Sequence, residues 1–511
     1  MVSQLPISPV IRSGLVPRPV ATTFRDGPPH LLGPDTVVLT GPSTEETETG
    51  VLLASLVSLA LEVAVPVSRL DDGAHEAAAL WRSADGDAGP RMLVRLDPGC
   101  GPAGSTNPER YEIDVDDVVC EIVAAEPAGF ANALGTLRQL ARPTDTGQWR
   151  IDPVHVVDEP RLPWRGLTLD LARHHVTPAD LRVVVSLMSM YHLNRLHLHL
   201  TDDQGWRVDL PSRPELVARS SQGGVGGSGG GYLSAEDYAQ LQVLCASRGI
   251  VVVPEIDVPG HVNAALHAVP GLNADGRAPA PYEGVDVGFS RLDPTLPETE
   301  PFLRDVLGDL ARMTAGPWVH VGGDEAPTMP AGQYADLVTL ACDVVREHGK
   351  TPIGWQEIAT APVEPGTVVQ VWDVRDGLDA VRDAAERGAL VVLSPAPHTY
   401  LDHRYDPSTP GQDWAGSIAL SDAYGWDPDD VVAGLPPEAV LGVGAALWTE
   451  TVESIEEVGR QLLPRLAAVA EVAWTARTER DWDDFTRRVA DHPRLWNGAG
   501  VAWYPSPEIT W

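Results

Sequence analysis

The stretch HVGGDEAP, His320 to Pro327, sets two carboxylates side by side behind a pair of glycines. Other ionisable residues stand at the ends of β-rich apolar runs: Arg173, the pair Asp202 and Asp203, and His261. Trp355, Trp372 and Trp448 hold similar positions, and Glu450 follows the last of them by two residues. Carboxylates, an arginine and several indoles facing one cleft suit a sugar, whose C–H faces stack on aromatic rings while its hydroxyls need hydrogen-bond partners. The chemistry expected is that of a glycosidase. Ordinary retaining enzymes place two carboxyls on opposite sides of the sugar, roughly 5–5.5 Å apart, and inverting ones place them farther apart. Adjacent residues do not easily straddle a ring. One carboxyl is therefore expected to act as the acid and its neighbour to do something different on the same side, as where the substrate's own 2-acetamido oxygen is the nucleophile.

Positioning such groups requires a scaffold. From Pro163 onward, short β-rich runs alternate with segments of helical periodicity, the pattern of a parallel sheet wrapped by helices. Eight runs are present, from RGLTLDLAR (165–173) through PWVHVGGDE (317–325) to VLGVGAALWTE (440–450). They predict a (β/α)8 TIM barrel over residues 161–511, with its chemistry at the C-terminal strand ends. Residues 1–160 predict a smaller, non-catalytic α+β domain. Its strands are expected at 36–41, 91–97 and within 111–127, its helix at AGFANALGTLRQLA, and Val51–Val67 reads as a packed helix running into a strand. The fifth crossover is short, and the long segment 397–439 is expected to shape the site.

Other features favour plain structural readings. QGGVGGSGGGY (222–232) has no GK[ST] after it and reads as a flexible surface loop. His197 and His199 share a strand face, which makes a metal site conceivable, but barrel packing explains them better. Glu255, Asp257, Asp203 and Trp206 are expected to brace loops, and Trp149, Trp164, Trp503 and Trp511 to pack in the core or between domains. With 72 acidic residues against 37 basic ones, a formal charge of -35 disfavours nucleic acid and anionic membranes. The four cysteines are widely spaced and read as buried free thiols. The first twenty residues show no signal-peptide pattern, so a cytoplasmic location is expected.

From about residue 163 to 475, and more weakly before it, the chain resembles the β-N-acetylhexosaminidases of glycoside hydrolase family 20. The resemblance rests on RGLTLDLARH, LNRLHLHLTDDQGWR, PEIDVPGH, HVGGDEAP, GWQE, QVW, YLD and ALWTE, occurring in that order. His175 stands where an aromatic is commoner. The resemblance implies an exo-acting, retaining enzyme that removes terminal GlcNAc, or GalNAc, from small carbohydrates without metal or organic cofactor. Glu325 would be the general acid and base. Asp324 would orient the acetamido group and Tyr400 would donate to its oxygen, while Trp355, Trp372 and Trp448 walled it. Arg173, Asp402 and Glu450 would bind sugar hydroxyls, Trp414 would stack on the next sugar or wall the pocket, and Asp202 and His261 would support the acid. The rival readings are a catalytically silent carbohydrate-binding barrel, a glycosidase with a protein nucleophile, and a relative acting on lacto-N-biose.

Overall fold

The structure is a computed structural model, and residues 14–61, 64–70 and 90–511 are described. The N-terminal unit is built on a seven-stranded mixed sheet. Its order is β1 (Ala21–Phe24), β10 (Val154–Asp158), β6 (Tyr111–Val115), β7 (Val119–Ala124), β5 (Arg91–Leu96), β3 (Val37–Thr40) and β4 (Val67–Arg69). A second sheet of three short strands joins β2 (His30–Leu32), β9 (Trp149–Ile151) and β8 (Arg142–Pro143). In β6 the sequence YEIDV buries Tyr111, Ile113 and Val115 and leaves Glu112 and Asp114 partly exposed, the period of two that gives a strand one core face.

That face is covered by helices α1 (Thr44–Leu61) and α2 (Pro127–Leu140), which contribute Leu53, Val57, Phe130 and Leu134 to the core. The segment read as a helix running into a strand is α1 followed by β4, with residues 62 and 63 outside the described set. Trp474, from the helix Arg465–Trp474 of the C-terminal unit, also enters this core, and its indole N–H donates to Asp158 at 3.1 Å. The two units thus share a seam.

All eight expected barrel strands form. They are β11 (Trp164–Asp170), β12 (Arg195–His199), β13 (Val251–Glu255), β14 (Trp318–His320), β15 (Thr351–Trp355), β16 (Val368–Val371), β17 (Leu390–Leu393) and β18 (Val440–Leu447). They close in sequence order, with β18 parallel to β11. Strands covered on both faces bury nearly every residue, including polar ones such as Thr168 and Asp170 of β11, His197 and His199 of β12 and Gln370 of β16. Helix α3 (Pro178–Met190) shows how the outer layer is specified. Thr177 accepts from the Asp180 N–H, the Asp180 carboxylate reaches back to Thr177, and Leu181, Val184, Val185 and Met188 face inward.

The fifth crossover is a single 3-10 turn, Gln356–Thr360. Its Gln356 side-chain amide oxygen, Oε1, accepts from the backbone N–H groups of Trp372 and Asp373, both at 2.9 Å, and so fixes the end of β16. The glycine-rich stretch departs from the flexible loop expected. Arg207 donates to the carbonyls of Ser221 and Gly223 at 2.8 and 2.6 Å, and Val225 N–H donates to the Arg173 carbonyl at 3.0 Å. Here glycine serves close packing: a Cβ on Gly231 would lie 2.4 Å from the His175 ring. All four cysteines are buried and free. Among the described residues no helix is long and apolar enough to cross a membrane.

Candidate active site

A cleft of about 430 Å³ opens at the C-terminal ends of the barrel strands. Its floor depends on how the chain leaves β14. Val321 N–H still donates to Ile353 O at 2.8 Å, and Trp355 N–H donates to Gly322 O at 2.8 Å. Regular pleating then ends, because Gly322, Gly323 and Glu325 take positive φ values of 71°, 109° and 44°. A Cβ on Gly322 would fall 1.7 Å from Asp257 Oδ1, so the first glycine is required by space as well as conformation. Gly323 N–H donates to the same Asp257 oxygen at 3.1 Å, and Tyr334 donates to Gly323 O at 2.6 Å. The turn carries Asp324 and Glu325 onto one lining, which resolves their adjacency.

His261 faces both acidic residues. Its Nε2 lies 3.3 Å from Glu325 Oε2, a charge contact rather than a fully aligned hydrogen bond, and 3.8 Å from Asp324 Oδ2. Its Nδ1 meets Asp202 Oδ1 at 3.2 Å. Asp202 is also held by Arg173 at 2.7 Å and by His199 Nε2 at 2.9 Å, and His199 Nδ1 meets Glu255 at 2.8 Å. A buried chain of alternating carboxylate and imidazole therefore runs from Glu255 through His199, Asp202 and His261 to Glu325. Burial opposes charge on His261, but Asp202, Asp324 and the Glu325 contact outweigh it and hold its pKa well above the usual histidine value. Burial likewise opposes the Asp202 anion, and Arg173 with His261 overcomes it, holding that carboxyl well below its usual range.

Asp257 extends the set. Its carboxyl, His261 and Asp324 approach within 4.8 Å of one another. Burial, then the Asp324 charge, pushes Asp257 well above the ordinary carboxylate value, while burial and Glu325 push Asp324 upward less decisively. Two carboxyls this close disfavour each other's charge, and Asp257 is driven further toward its neutral form than Asp324. Asp257 therefore lines the cleft beside the acidic pair rather than only bracing loops. Glu255 does brace: His197, His199 and the Trp355 indole N–H all contact it, at 2.8, 2.8 and 2.9 Å. His197 also engages Thr168 at 2.9 Å, which commits both ring nitrogens to packing contacts.

The walls are aromatic. Trp372 stacks near Tyr400 at 6.4 Å with an 18° interplanar angle, and Tyr400 meets Trp448 at 6.1 Å. Burial and the Asp324 charge keep the Tyr400 phenol well above its usual pKa, so it remains a donor. Trp414 stands at the rim, 46% exposed, with its ring edge-on to Trp372. Trp355 differs from the wall position expected for it. It is 1% exposed and lies behind Trp448, ring centroids 5.7 Å apart, because its indole turns inward to Glu255.

Arg173, Asp402 and Glu450 complete the lining from three strand ends. Burial, opposed by Arg173 and aided by Asp170 and Asp402, raises Glu450 to about 7. Arg173 Nε, Asp402 Oδ2, Glu450 Oε2 and Asp324 Oδ1 are buried polar atoms without a protein hydrogen bond. Four such atoms around one aromatic cleft match a ligand rich in hydroxyl and amide groups. The sequence reading missed Val285 and Val287, which line the opening at 53% and 45% exposure. Their signal was the alternating GVDVGF in an otherwise polar loop. Arg375 and Gln412, also in the lining, carry no comparable sequence mark.

Comparison with known proteins agrees along the whole chain. Residues 162–477 match the model of the glycosyl hydrolase family 20 catalytic domain, and residues 12–159 match that family's domain 2. A Cellulomonas fimi β-N-acetylhexosaminidase is 47% identical over 498 residues, covering 97% of each chain. A β-hexosaminidase of Akkermansia muciniphila is 32% identical over 75% of this chain and 83% of its own. Among solved structures, a Streptomyces plicatus β-hexosaminidase variant in complex with product GlcNAc superposes with a TM-score of 0.88 at 35% identity, covering 99% of each chain. With both units matched and the cleft built as described, the chain belongs to glycosyl hydrolase family 20.

Proposed function

We propose that the cleft hydrolyses terminal, non-reducing β-linked GlcNAc by substrate-assisted catalysis with retention of configuration. The observation that carries this reading is the turn after β14, which sets Asp324 and Glu325 on one side of an aromatic box instead of across a sugar from each other. In the reading, Glu325 protonates the leaving oxygen while the 2-acetamido oxygen attacks C1 and the glycosidic bond breaks. Asp324 accepts the acetamido N–H and offsets the positive charge that develops on the oxazolinium ring. The Tyr400 hydroxyl donates to the acetamido oxygen, and Trp372 and Trp448 hold the group in near-attack geometry. Glu325 then takes a proton from water as it adds to C1, reopening the ring. Asp202 and His261 hold the Glu325 carboxyl in place.

Arg173, Asp402 and Glu450 close the inner end of the cleft around the sugar's remaining hydroxyls, which supports exo action on one terminal residue. Trp414 stands where the next sugar would stack.

Hydrolysis of 4-nitrophenyl β-GlcNAc by the intact chain tests the proposal. Turnover that falls by about 10²–10⁴-fold in Glu325→Gln, together with tight inhibition by a GlcNAc-thiazoline, is expected. Turnover of the matching glucoside at a comparable rate, which needs no acetamido group, would instead point to a protein nucleophile. Sugar binding without turnover would point to a silent carbohydrate-binding barrel.

A further inference from the structure

A second cavity, of about 480 Å³, lies at the seam between the N-terminal unit and the barrel. Its size falls in the roughly 300–1,000 Å³ range of small-ligand pockets. Leu53 and Val57 of α1, Leu134 of α2 and Trp149 of β9 give it apolar walls. Arg138, on α2, and Arg248, just before the N-terminal end of β13, line the same space. The catalytic cleft occupies the opposite strand ends, so the two cavities are separate.

The arginines are the anomaly. Arg138 donates from Nη1 to Ser186 Oγ at 2.8 Å and to Ser186 O at 3.3 Å, and Arg248 Nε is buried without a hydrogen-bond partner. Among the described residues neither has a carboxylate close enough to raise its pKa; burial lowers both, and the Arg248 charge lowers Arg138 further. The chain carries 72 acidic residues against 37 basic ones, so an unpaired pair of cations is not for want of anions. Two like charges beside an apolar wall repel each other and lose hydration, and an anion held between them removes both penalties. Guanidinium groups recognise a carboxylate through paired N–H donors.

We propose that this cavity binds an amphipathic carboxylate of the fatty-acid type, with its chain between Leu53, Val57, Leu134 and Trp149 and its head between Arg138 and Arg248. Apolar burial supplies the bulk of the affinity and the arginine pair selects the charged head. The site is independent of the glycosidase reading.

Calorimetric titration of the full chain with decanoate tests it, with decanol and acetate as controls. Decanoate is expected to bind saturably at one site, with each control at least about tenfold weaker, because each lacks one half of the recognition. The double variant Arg138→Gln/Arg248→Gln is expected to weaken decanoate by about tenfold or more while hydrolysing 4-nitrophenyl β-GlcNAc like the parent, which also shows that it is folded. Leu134→Trp, which fills the cavity, is expected to abolish binding. Decanol binding as tightly as decanoate, unchanged decanoate binding in the double variant, or no saturable heat would each overturn the proposal. So would a double variant that keeps its decanoate affinity but loses self-association, since the cavity face would then be a contact between copies of the chain.

Discussion

His261 Nε2 stands 3.3 Å from Glu325 Oε2, and both residues hold left-handed backbone, φ 53° and 44°. Such conformations are uncommon outside glycine. Two facing each other across the site show that local backbone preference has yielded to the placement of these side chains.

His261 stays protonated in the fold, and the sign of its linkage follows. A histidine whose folded pKa is raised well above 6.5 contributes stability that is fully present below pH 6.5 and lost as pH rises through the folded value. The melting temperature of the parent is therefore expected to fall between neutral and alkaline pH, and that of His261→Asn to fall less, since asparagine tolerates the left-handed backbone but does not titrate. Parallel melting curves for the two proteins across this range would contradict the assignment. The same variant is expected to lower kcat more than it raises KM.

The drive of Asp257 toward its neutral form beside Asp324 predicts an unusual tolerance. In Asp257→Asn the amide oxygen still accepts from Gly323 N–H and the NH₂ supplies the donor to Asp324, so activity within about threefold of the parent is expected. Asp257→Ala removes both contacts and is expected to lower kcat by about tenfold or more. Equal losses in the two variants would show that the carboxylate charge, not the hydrogen bond, matters.

Gly322→Ala places a Cβ where Asp257 Oδ1 now sits. Overpacking and left-handed strain together are expected to destabilise the chain by about 2–4 kcal/mol, read from denaturant unfolding, with activity lost disproportionately. Retained activity in this variant would contradict the structural account of the turn.

Trp414→Ala is expected to raise KM for chitobiose several-fold, in line with roughly 0.5–1.5 kcal/mol of aromatic contact, and to leave thiazoline inhibition nearly unchanged. Trp448→Ala is expected to weaken both, because it lies deeper, against Tyr400 and Trp355. Comparing the two substitutions separates the rim from the inner box.

Much of the architecture was legible because its signals are local. The eight apolar runs, the helix between them capped by Thr177 and Asp180, and the short fifth crossover each follow from a few neighbouring residues. The glycine-rich loop was misread because what holds it, Arg207 and the back of Arg173, is remote in sequence. Val285 and Val287 were passed over because alternation shows which residues share a face, not which cavity that face meets.

The amino-acid sequence by itself determined the barrel and its strand ends, since hydrophobic period and length suffice to specify strands covered on both faces. It also determined the reacting types, an adjacent Asp324 and Glu325 with arginine, histidine and tryptophan at neighbouring ends. Only the tertiary structure decided that both carboxyls share one lining, because that needs three positive φ angles and a glycine against Asp257. It alone decided that Trp448 faces the cleft while Trp355 stands behind it, and that Asp257 is driven toward its neutral form. Depth and proton affinity depend on what packs around a group, and those neighbours come from distant parts of the chain.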